Sequence, residues 1–198
     1  MNFSDLLKGT AAYLTTRAKE ALSWYKSKIL NVSQKANTTE PDNILKLRAE
    51  PEIGKMYLFT YDPKLKNILP FWDQYPLVIP IHYYADGFLG LNLHYLPPLQ
   101  RVALLQALSD VLSNDRYDST TRMNISYGIL KGAALRATQS GQMSKYNGYE
   151  QCIKRYLYGH CRTQFHEINA NDWGKIVLLP LQKWVINKKS KYRQRPPY

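Results

Sequence analysis

Leu77-Val-Ile-Pro-Ile-His-Tyr-Tyr84, the turn Ala85-Asp86-Gly87, and Phe88-Leu-Gly-Leu-Asn-Leu-His-Tyr95 decide the fold. Two runs rich in aliphatic and aromatic residues flank a turn tripeptide, which is the pattern of a β-hairpin. A three-residue loop sets Tyr83 against Leu89, Ile81 against Leu91, Ile79 against Leu93 and Leu77 against Tyr95. Each of those pairs is apolar on both sides. A two-residue loop slips the register by one, sets Ile81 opposite Asn92 and mixes the faces. The pattern therefore predicts a three-residue hairpin with Gly87 in the left-handed conformation.

Outward from the hairpin, Lys55–Tyr61 is a further strand, closed by Asp62-Pro63. Pro97-Pro98 ends the sheet run and can open a helix. Leu99, Val102, Ala103, Leu105, Leu108, Val111 and Leu112 mark an amphipathic helix, and Ser113–Thr121 a polar loop. Met123–Ala137 is a second helix weakened by Gly128 and Gly132, Ser140–Gly148 a loop, and Tyr149–Ile168 a third helix. The apolar run Ile176–Leu181 is expected to return to the sheet as a short strand. The fold class is α+β: a small, highly curved sheet or SH3-like barrel with a helical insertion at about 97–168. No βαβ alternation or internal repeat supports a doubly wound fold.

Before this single domain, 54–184, residues 1–30 read as an amphipathic helical arm and 31–53 as a linker of Asn, Thr, Pro and mixed charge. Ser4 is the expected cap, with Asp5 in the first turn. Leu7, Ala11, Leu14, Ala18 and Tyr25, with Ala21 and Ile29, recur at spacings of three and four. Held off by a linker, that face is expected to dock on a neighbouring subunit; folding back on its own domain and lying on a membrane surface are the alternatives. Residues 1–50 and 186–198 are expected to be mobile in the free protein, the tail being 185–198.

The chain has 198 residues, 44% of them hydrophobic, with 16 Tyr, 5 Phe and 4 Trp, so it can bury a core. No apolar run approaches the roughly 20 residues of a membrane-spanning helix. The start lacks the charged and apolar regions of a secretory signal, and two cysteines are too few for a disulfide scaffold. The net charge is +12. Residues 51–99 carry −1 and residues 141–198 carry +8, with no acid after Asp172. A one-sided basic segment suits a polyanion, whether nucleic acid or an acidic protein.

Catalytic patterns are absent: there is no phosphate-binding glycine loop and no nucleophile elbow. Cys152, His160, Cys161 and His166 do not have zinc-site spacing and read as core residues, with Cys161 on an apolar stripe. His82 and His94 fall on the non-core side of the hairpin without an acid–base partner. Asp62, Asp73 and Asp86 sit at strand ends, where carboxylates cap the backbone. No enzyme, cofactor or metal site is expected.

Aromatic and basic residues interleave in the last third, as in Lys154-Arg155-Tyr156, Lys183-Trp184 and Lys191-Tyr192-Arg193. Cations neutralise phosphates, while rings offer stacking faces to exposed bases. The candidate nucleic-acid contacts are Lys154, Arg155, Arg162, Lys183, Lys188, Lys189, Lys191, Arg193 and Arg195.

The blocks Gly54–Lys64, Leu69–Pro80 and Gly87–Pro98, with Cys152–Leu157 and Asp172–Pro180, resemble virion-associated proteins of T4-type tailed phages, most closely the DNA end protectors. The resemblance spans about residues 54–184. It implies a non-enzymatic virion protein, made in the host cytoplasm, that binds double-stranded DNA ends and aids head completion or head–tail joining. It also implies portal, neck or tail subunits as partners within an oligomeric assembly. A purely structural tail, baseplate or neck component without DNA contact is the alternative.

Overall fold

The computed structural model describes residues 3–37, 50–69, 71–96, 98–139, 152–179 and 185–186, without the side chains of 35–37, 71, 133–139 and 185–186. It is α+β. Strands β1 (Met56–Leu58), β3 (Leu77–Tyr84), β4 (Gly87–Asn92), β5 (Ile153–Leu157) and β6 (His166–Ile168) form an antiparallel sheet in the order β5-β4-β3-β1-β6. β2 (Phe71–Trp72) pairs separately with β7 (Val185–Ile186). The helices are α1 (Ala11–Asn37), α2 (Pro98–Leu112), α3 (Ser119–Gln139) and α4 (Trp173–Val177).

The hairpin lies where the sequence puts it, but its register does not. The turn has two residues, with Tyr84 opposite Gly87. Gly87 is not in the left-handed region. It is glycine for another reason: a Cβ there would lie 2.0 Å from the Tyr156 carbonyl oxygen on β5. A β-bulge between Pro80 and His82 resolves the mixing of faces that a two-residue turn creates. The extra residue, Ile81, sets Ile79 opposite Leu91 and Val78 opposite Asn92, two places from the expected register.

Both faces of the sheet are covered. Met56, Leu58, Leu77, Ile79, Leu91 and Leu93 pack under the helices, with Val102, Leu105 and Leu108 of α2 and Trp173 and Ile176 of α4. Tyr57, Phe59, Val78, Phe88 and Tyr156 face the other way, into an aromatic core completed by Tyr61, Cys161 and Phe165. Past the bulge the alternation inverts, so Tyr83 joins the aromatic side. The sheet is open. A bridge from Tyr61 to Cys161 joins the chain after β1 to the chain after β5, and the described residues do not confirm an SH3-like barrel.

Three other expectations are corrected. The stretch expected as a third helix, Tyr149–Ile168, contains β5 and β6 instead, so within the described residues the helical insertion is confined to 98–139. The expected strand at Ile176 is the end of α4, whose last carbonyls are capped by buried Arg101. Its guanidinium donates to Ile176 O at 3.2 Å and Leu179 O at 2.6 Å. The last residues of the second hairpin arm, Leu93–Tyr95, form a 3-10 turn.

The N-terminal segment is not a detached arm. Gly9, at φ 147°, breaks the chain between a 3-10 turn (Phe3–Leu7) and α1, and Thr10 rather than Ser4 caps the helix through Tyr13 N. Phe3, Leu6, Ala21, Tyr25 and Val32 are buried in the domain's own core. The helix also runs to Asn37, past the expected start of the linker; residues 38–49 lie outside the described residues. Lys28 and Lys175 flank the Trp24 ring, and Lys28 lies 3.5 Å from Asp172, which ties α1 to α4. Among the described residues no helix is long and apolar enough to cross a membrane.

Candidate nucleic-acid interface

The period of two in β5 sorts the basic residues of Lys154-Arg155-Tyr156. Lys154 and Tyr156 turn to the aromatic face, opposite Gly90 and Phe88 respectively, and Arg155 to the other. Arg155 reaches the hairpin turn, where it pairs with Asp86 and stacks over the Tyr84 ring at 4.2 Å. Arg162 pairs with Asp62 at 2.8 Å, a carboxylate it shares with Lys66 at 2.9 Å. The hydrogen bonds from Lys66 and then Arg162 hold the Asp62 carboxyl below its usual range.

Lys154 is different. Among the described residues it has no carboxylate partner; its ammonium sits 5.0 Å from the Tyr95 ring centroid. Burial lowers its pKa, because a half-buried cation loses solvation. It lines a pocket of about 320 Å³ with buried Tyr95, Tyr156 and Asp73, half-buried Trp72, and Lys64 and Leu65 from the loop after β1.

A buried polar cluster holds the pocket floor. Asp73 accepts from Tyr75 N at 3.1 Å and Asn92 Nδ2 at 3.0 Å, and its Oδ2 lies 2.6 Å from His94 Nδ1. Asn92 Nδ2 also reaches the Tyr156 hydroxyl at 3.1 Å. Tyr25 of α1 packs edge-on against His94 at 5.1 Å and donates its hydroxyl to Tyr75 O. His94 is therefore a buried structural residue, contrary to its expected place on the non-core side. His82 is exposed on β3, so the two histidines do not form one site. Asp73 does bond the local backbone as expected, but also the cluster; Asp62 and Asp86 hold cations.

Among the described residues no group of His, Cys, Asp and Glu could hold a metal. Cys152 and Cys161 are both buried and unbridged. Of the expected partner-binding residues, Tyr25 is corrected: it is buried in this chain's own core. Leu7, Leu14 and Ala18 are half-buried and Ala11 exposed. Lys183, Lys188, Lys189, Lys191, Arg193 and Arg195 lie outside the described residues. Sequence reasoning missed Trp72, Tyr95 and Lys64, which meet Lys154 only through the fold. The available signal was the alternation Lys154, Tyr156, Tyr158, which has the period of a strand.

Lys154 lies beside the Tyr95 ring at an aromatic-lined pocket, and the sequence after β7 is basic, features shared with the class of nucleic-acid-binding proteins. Comparison with known families gives the class its name: the family described as the phage T4 terminal DNA protecting protein matches residues 18–195. The chain belongs to that family of phage proteins, whose name describes protection of DNA termini. The match covers most of α1 and the basic tail as well as the 54–184 span of the resemblance. No curated protein and no solved structure matches the chain.

Proposed function

We propose that this protein binds the termini of packaged phage DNA within the virion and shields them from nucleolytic attack without catalysing a reaction. The observation that carries the reading is Lys154, a half-buried cation without a carboxylate partner among the described residues, set among aromatic rings beside Lys64. Together with the family membership it supports a surface made for an anionic, base-bearing ligand. Lys154, Arg155, Arg162 and the tail cations Lys183, Lys188, Lys189, Lys191, Arg193 and Arg195 supply the phosphate contacts. Arg155 and Arg162 exchange a protein carboxylate for phosphate as they do so.

The same reading includes an aid to head completion or head–tail joining. The start of α1 supports it: Ala11 is exposed, and Leu14 and Ala18 are only half-buried, at the open end of the stripe that Ala21 and Tyr25 carry into the core. That face suits a portal, neck or tail subunit in an oligomeric assembly. The test is a gel-shift titration of linear duplex at two salt concentrations. Binding falls steeply with salt, with a log–log slope of about −0.9 per phosphate neutralised. Undetectable or salt-insensitive binding refutes the DNA contact.

A further inference from the structure

The pocket beneath Lys154 is too small for a duplex. At about 320 Å³ it falls near the lower end of the ~300–1,000 Å³ of small-molecule sites, a size for one nucleobase-like group. Its lining is mostly apolar and aromatic, with Tyr61, Leu69, Trp72, Tyr95 and Tyr156, and includes the cations Lys64 and Lys154. Asp73, the carboxylate on the floor, is already engaged by Tyr75 N, Asn92 and His94. Val185 of β7 pairs with Trp72, so the chain leading into the basic tail passes the pocket wall.

Resting on the end-binding reading above, we infer that this pocket receives the terminal nucleotide of the DNA. The base lies against Trp72, and its phosphate sits on Lys154 and Lys64. An interior base must be unpaired and unstacked to enter, whereas a terminal or single-stranded base enters at far lower cost. One pocket of this size therefore distinguishes an end from continuous duplex, a distinction the tail cations cannot make. Phosphate contacts hold the duplex anywhere along its length; the pocket makes the end the preferred place.

The test compares the affinity for a linear duplex with that for the same sequence ligated into a closed circle, which has neither ends nor unpaired bases. Wild-type protein favours open ends by about tenfold or more, in line with one base stacked on a ring. Trp72→Ala brings that ratio close to one, Trp72→Phe retains most of it, and Lys154→Gln lowers it, each variant first shown by thermal melting to be folded. Should Trp72→Ala not fold, Lys154→Gln and direct titration of wild type with 2′-deoxyadenosine 5′-monophosphate, read by tryptophan fluorescence, decide the matter. Equal wild-type affinity for open and closed duplex refutes the end-binding reading itself. A wild-type preference for ends that survives both Trp72→Ala and Lys154→Gln, or no fluorescence response to the mononucleotide, overturns the pocket assignment alone.

Discussion

Lys154 stands directly across from Gly90 in the ladder between β4 and β5, and Gly90 is there because nothing larger fits. A Cβ at Gly90 would fall 2.2 Å from Val78 Cγ1 and 3.2 Å from Phe88 Cε2. One step along, Phe88 and Tyr156 stack with centroids 5.4 Å apart. The bare strand at Gly90 lets the aromatic core close beneath the lysine, so the cation is presented by packing rather than by an ion pair.

Gly90→Ala is therefore expected to destabilise the protein by about 1–3 kcal/mol through overpacking. The check is a fall in the urea midpoint without a change in slope. Val78→Ala in the same chain restores part of the loss. A neutral Gly90→Ala contradicts the close packing of β4 against Val78 of β3.

Asp73→Ala removes the acceptor at the centre of a buried cluster and leaves Asn92 Nδ2 and Tyr75 N each short of a partner. Unsatisfied buried groups cost about 1–3 kcal/mol each, so this change is expected to cost more than Gly90→Ala. Thermal melting of the two variants side by side checks the order.

Asp172 links α1 to α4 through Lys28 and Lys175. Burial pushes its carboxyl up, but the hydrogen bond and charge of Lys175, with the charge of Lys28, outweigh burial and hold it below the usual value. A depressed folded-state pKa means stability that is present above the unfolded value of about 3.9 and lost as pH falls through the folded one. Asp172→Asn is expected to lower stability by up to about 1 kcal/mol near neutral pH. Its difference from wild type closes below about pH 4. A difference that persists unchanged into acid contradicts the ionic tie.

Cys152 and Cys161 test the placement of the strands that the sequence concealed. Both are buried, and burial pushes the Cys152 thiol up to about 12 against the pull of Lys154 and Arg101. Neither is expected to react with a thiol reagent near pH 8 in the native protein, and both to react once it is denatured. Rapid native labelling of either contradicts the packing of β5 and the turn after it.

The hairpin was legible because long apolar strands around a turn leave little choice of element. Its register was not, because a bulge at Ile81 depends on what packs above and below it. β5 was misread because Ile153, Leu157, Cys161, Phe165 and Ile168 repeat by threes and fours, which mimics a helix. The competing period, Lys154, Tyr156 and Tyr158, acquires meaning only with β4 alongside. Basic residues pointed to a polyanion, yet the sequence ranked Lys154, Arg155 and Arg162 alike. Asp86 and Asp62 separate them, and both come from distant turns. Trp72 and Tyr95 belong to the pocket only through tertiary packing.

The central claim is protection of DNA ends. Digestion of linear duplex by a processive double-strand exonuclease, with increasing amounts of this protein added beforehand, tests it most directly. The account predicts that full-length DNA survives once its ends are occupied, and that added salt, which weakens binding, restores digestion. Digestion at an unchanged rate under conditions where the protein is bound to the DNA would contradict it.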